Sequence, residues 1–155
     1  MLDKMHPGYF LPTVAGGLIA AAGAAALGQQ RLAQALFGLG LICWLILGSI
    51  MLGRLFVRPV LPAPLTPTLA IEVAPAAVAS LAYFALNGDR LDLFAVALGG
   101  YGPLMVLAQI RLLPVFLRLT FAPSTWAFTF SWAVVASAAL HWIHAGRPAR
   151  TPRRI

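Results

Sequence analysis

Apolar residues run along this chain in long blocks, and the charged residues fall almost entirely between the blocks. Residues 9–28 and 32–53 carry no charge at all, and similar runs cover 67–86, 91–110 and 123–145. A bilayer core about 30 Å thick needs roughly 20 apolar residues in a helix, and each block reaches that length. The blocks are too long for ordinary strands, and they lack the alternation of a barrel strand. The pattern predicts an all-α, polytopic membrane protein: a single transmembrane domain over 1–155 with five transmembrane helices and a basic tail at 146–155.

The connections carry their own signals. Residues 29–31 make a tight turn, Arg58, Pro59, Pro62 and Pro64 mark a loop over 54–66, and Asn87, Gly88, Asp89 and Arg90 form a turn. Residues 111–122 link the last two spans. Pro67 suits a helix start, where its missing N–H costs least. Gly16, Ala20, Ala24 and Gly28 recur every fourth residue, which predicts a bare helix face for close packing against a neighbour.

Composition supports the membrane class. The chain is 61% hydrophobic and 10% charged, and its mean hydropathy is +0.87; soluble domains average about 25% charged residues. The formal charge of +7 does not indicate nucleic acid, because the basic residues sit singly at block ends or in the tail. One cysteine, Cys43, offers neither a disulfide nor a thiolate metal site. No cleavable leader is expected, since no small-residue cleavage site follows the first apolar run.

The basic residues also predict orientation. Lys4, Arg54, Arg58, Arg111 and Arg118 fall on the side of the N-terminus, against Arg31 and Arg90 on the other. The N-terminus is therefore expected in the cytoplasm, with the protein in the inner or plasma membrane of the cell. Five spans then place Arg147, Arg150, Arg153 and Arg154 outside, against the rule. An absent further span would remove the conflict, so a fragment is expected.

Three stretches carry a resemblance: HPGYFLPTVAGG at 6–17, PTLAIEVAP at 67–75 and FAPSTWAFTF at 121–130. They are spread over most of the chain and resemble the tellurite-resistance/dicarboxylate transporter family, which includes the plant guard-cell slow anion channels. The resemblance implies a ten-helix protomer of five hairpins around a pore, assembled as a homotrimer. This chain resembles helices five to nine, half of that ring, with the first, third and fifth spans lining the pore. The implied function is an anion channel or transporter for small inorganic or organic anions, with a proton-coupled dicarboxylate or tellurite-related carrier as the alternative. No enzyme activity and no cofactor are implied.

The resemblance places a pore-occluding phenylalanine at Phe130, whose helical neighbours Ala127, Ala133 and Ser137 are small enough to leave space beside a ring. A phenylalanine packed only against lipid or helices is the competing reading. Pro12 and Pro75 lie inside the first and third spans, where each removes a helix hydrogen bond and kinks the backbone. Those kinks serve either a pore or packing alone. Glu72 is the acid within a span, which makes it a functional candidate; its place in the second turn of its helix also permits a structural role beside the N-terminal dipole. No Lys or Arg falls at mid-membrane depth, which favours weak binding and conduction over a gripping carrier.

A haem-binding anchor of a redox complex is the remote alternative. His6 and the pair His141 and His144 fall at opposite membrane faces, about 30 Å apart, so they cannot share a haem, and interfacial packing is expected of them. Ser49 follows Gly48 but lacks a nucleophile turn and a paired histidine, which argues against an intramembrane protease.

Overall fold

A computed structural model describes residues 5–146. Lys4, the arginines of the tail and the rest of 1–4 and 147–155 lie outside the described residues. Helix accounts for every regular element among those described. Five helical stretches are long and apolar enough to cross a membrane: Pro7–Ala26, Gln30–Val57, Ala63–Asn87, Leu93–Phe116 and Pro123–Ala145. Their α-helical parts are α1 (Gly16–Ala26), α2 (Gln30–Val57), α3 (Ala74–Asn87), α4 (Leu93–Phe116) and α5 (Ala127–Ala145).

The helices outrun the apolar blocks at two places. α2 continues through Arg54 to Val57, and α4 through Arg111 and Pro114 to Phe116. At 1.5 Å per residue these helices measure about 42 and 36 Å, longer than the roughly 30 Å hydrocarbon core. Arg54 and Arg111 therefore interrupt the apolar run without ending the helix.

The third span is the hub. Buried residues make up 67% of its most apolar window, against 17% for the second and fourth spans. It begins at Ala63, four residues before Pro67, as a 3-10 helix over Ala63–Val73. In an α-helix the Pro67 ring would collide with the carbonyl four residues back, and i to i−3 bonding avoids that contact. Thr66 Oγ1 donates to the carbonyls of Pro62 and Leu61 at 3.2 and 3.3 Å, and Thr68 Oγ1 to that of Leu65 at 2.6 Å. Gln109, buried on α4, donates its amide to the Leu69 carbonyl at 2.8 Å and braces this stretch from outside.

The close approach of α1 and α2 uses a different face from the expected stripe. A Cβ added to Gly17 would lie 3.1 Å from Gly40 Cα, and one added to Gly40 would lie 2.8 Å from Leu18 Cγ. Val14, Leu18, Ala21 and Ala24 are buried, whereas Gly16, Ala20 and Gly28 are exposed. Steps of four drift around a helix by about 40° each at 3.6 residues per turn. Alternating steps of four and three, as in 14, 18 and 21, hold one line. Gly28 lies beyond α1 altogether, at φ +74° in the turn.

Candidate functional site

The first, third and fifth spans meet around Phe130. Phe130 lines a small, partly open void of about 10 Å³ together with Phe10, Leu11, Val14 and Ala15 of the first span and Ile71, Ala74, Pro75 and Val78 of the third. That volume is at the margin of admitting a single water. Every lining side chain is apolar, so a water there would find no side-chain partner. Phe130 is half-buried and packs with Val134 and Ala127 against the main core cluster.

Local backbone irregularity brings these residues together. Leu11–Ala15 forms one π-helical stretch, with Pro12 in its first turn and the Gly16 N–H bonded to the Leu11 carbonyl. Its wider turn places Leu11, Val14 and Ala15 on the void while Pro12 itself stays exposed. Pro75 opens α3 at the switch from 3-10 to α geometry, where the Ala74 N–H reaches the Ile71 carbonyl. Pro75 thus touches the void, and Pro12 shapes it from one residue away.

Glu72 stands apart from this group. Successive residues of a 3-10 helix point about 120° apart, so while Ile71 faces Phe130, Glu72 turns toward α4, within electrostatic reach of Tyr101. Its depth differs from the sequence reading. As the tenth residue of a span that starts at Ala63, it lies about 18 Å along the axis at 2.0 Å per residue, well past the first turn in which a helix terminus acts. One carboxyl oxygen, Oε1, is buried without a hydrogen-bond partner among the described residues.

Ala127 is half-buried beside Phe130, while Ala133 and Ser137 are exposed; Ser137 Oγ donates to the Ala133 carbonyl at 2.9 Å. The histidines have local partners. His6 Nδ1 accepts from the Gly8 N–H at 3.2 Å, a cap that needs an unprotonated nitrogen, and burial pushes its pKa down. His144 Nδ1 lies 2.9 Å from the Leu140 carbonyl. His141 Nε2 lies 2.7 Å from Asp89 Oδ1, a pairing across 52 residues that sequence reasoning missed. Phe10, 2% exposed, lines the same void as Phe130 and was also missed, although it lies in the 6–17 motif.

A family model described as the voltage-dependent anion channel matches residues 1–151. The chain is 34% identical over 139 residues to a protein named tellurite resistance protein TehA homolog from Haemophilus influenzae. The match covers 90% of this chain and 42% of that relative, so the chain spans less than half the length of the curated relative it matches. With five helices long and apolar enough to cross a membrane, this multi-pass membrane protein belongs to the voltage-dependent anion channel family.

Proposed function

We propose that this chain contributes half of an anion-conducting pore in the cell membrane and that Phe130 is its gate. The observation that carries the reading is the convergence of Phe130 with the first and third spans on a carbon-lined void of about 10 Å³. An apolar constriction of that size conducts no hydrated ion, because an ion would shed its water with nothing polar to replace it. Displacing the ring admits water and opens the path. Arg111 and Arg118, both exposed at one end of the bundle, raise the local anion concentration there. The absence of mid-depth cations lets an anion leave as readily as it enters.

In this account the N-terminus is cytoplasmic, the complete pore is built from hairpins, and protomers assemble as a homotrimer. Phe130→Ala tests the gate. Chloride and nitrate currents rise in the variant with little change in selectivity, and Phe130→Leu has a smaller effect because an apolar side chain remains. Near-zero currents from both parent and Phe130→Ala, in protein that is folded and membrane-inserted, sink the gate. They favour a coupled carrier instead, a reading that the tellurite-resistance name of the relative also supports.

A further inference from the structure

The fifth span is fastened at one end to the start of the third span and near the other to the turn that follows it, with Phe130 between the fastenings. At one end Ser124 Oγ donates to the Pro64 carbonyl. At the other, His141 Nε2 meets Asp89 Oδ1 at 2.7 Å. His141 lies eleven residues beyond Phe130, which is three turns, so both side chains project from one face of the helix. Ala138, on that face and between them, is buried.

The Asp89 end is built to hold its carboxylate in place. Asp89 takes φ 60° and follows Gly88 at φ 67°; among the described residues it is the non-glycine with positive φ. An aspartate tolerates that region better than most side chains. The N–H groups of Gly88 and Asp89 both donate to the Phe84 carbonyl, at 3.1 and 3.2 Å. Asn87 brackets the turn, donating to the Arg90 carbonyl at 2.8 Å and accepting its N–H at 3.2 Å. Asp92 accepts from the Ala95 N–H and the Tyr83 hydroxyl, which ties the next residues to α4 and α3. On the α5 side, the His141 ring lies 4.9 Å from that of Phe84, which is 1% exposed. Trp142 lies edge-on to Phe84 at 5.1 Å and so close to Gly99 of α4 that an added Cβ there would be 2.7 Å from it.

We propose that His141 and Asp89 are positioning residues for the gate: their pair fixes the rotation of α5 and thereby holds the Phe130 ring in the constriction, more firmly when the imidazole carries a proton. This rests on the gate reading above. The other titratable or charged groups on the elements around His141 are Tyr83 on α3, Arg90 and Asp92 at the α3–α4 turn, His144 on α5, and Tyr101 and Arg111 on α4. Glu72 lies more than three turns down the third span from Phe84. Tyr83 and Asp92 bond each other, and His144 bonds its own helix. That leaves Asp89 as the acid within reach of His141. The Ser124 fastening joins a hydroxyl to a carbonyl and carries no ionisable group.

The test pairs a distance with a current across pH 5 to 8, the range in which histidines change charge. Spin labels at the exposed positions Leu91 and Ile143 report the separation of the turn from α5, and chloride current reports the gate. Acidification is expected to narrow the distance distribution and lower the current by about two- to fivefold, the factor an exposed ion pair can supply. Both responses vanish in His141→Gln and in Asp89→Asn; asparagine accepts the same backbone conformation, so loss there is not a folding failure. A distance that does not change with pH overturns the latch and leaves the gate standing. A pH-dependent distance, with Phe130→Ala conducting no better than the parent, overturns the gate and with it the positioning role.

Discussion

Gly40→Ala puts the α1–α2 approach to a quantitative test. The added Cβ would sit 2.8 Å from Leu18 Cγ and 3.0 Å from the Leu18 backbone nitrogen. The side-chain atom has some freedom, but the backbone nitrogen belongs to a helix. Relief therefore requires α1 and α2 to part by about 0.5–1 Å, since carbon atoms prefer contacts of about 3.5–4.0 Å. A gap of that size forfeits a quarter to a half of each contact energy along the seam, and overpacking of this kind costs about 1–3 kcal/mol. Replacing glycine by alanine within a helix also gains up to about 1 kcal/mol in propensity, which would obscure the penalty in a single variant. Gly38→Ala supplies the control, because nothing lies within 4 Å of a Cβ there. The two variants share the propensity gain, so their difference isolates the packing cost. Reversible unfolding in mixed micelles is expected to rank Gly38→Ala at or above the parent and Gly40→Ala about 1–3 kcal/mol below Gly38→Ala. Equal stability of the two variants would refute the close approach at Gly17, Leu18 and Gly40.

Two further outcomes follow from other parts of the fold. Gln109→Leu removes the brace on the Leu69 carbonyl and is expected to lower stability in the same unfolding assay by about 0.6 kcal/mol, the average for side-chain hydrogen bonds between membrane helices, and by no more than about 1.7 kcal/mol; no loss would mean the brace is idle. Single cysteines at Gln30 and Pro62, in a background with Cys43 replaced, report orientation: an impermeant thiol reagent applied to intact cells labels position 30 and spares position 62, and the reverse pattern overturns the cytoplasmic N-terminus.

The five spans were legible because burial in hydrocarbon demands an unbroken apolar run, and such runs survive any detail of packing. The fifth span, read as 123–145, has the bounds of the helical stretch Pro123–Ala145. The ends of α2 and α4 were less legible because Arg54 and Arg111 interrupt hydropathy without interrupting the helix. The depth of Glu72 was hidden for a related reason: a proline-rich entry read as loop is a 3-10 helix, which over three residues rises as far as an α-helix does over about four. The small-residue stripe failed because repetition at four follows sequence spacing, while contact between helices follows a line in space that spacing of four leaves. Phe130, Pro75 and part of the 6–17 stretch, which the motifs singled out, line one small void. The Asp89–His141 pair had no such signal, since it joins a turn to a helix 52 residues away.

The central claim is that an aromatic ring closes a conducting path where three spans meet. Its most direct measurement is the chloride current through membranes containing the full-length protein, parent against Phe130→Ala, with insertion and folding verified for both. The account predicts small currents from the parent and markedly larger ones from the variant, with the chloride-to-nitrate ratio little changed. Currents that are equally small in both contradict it.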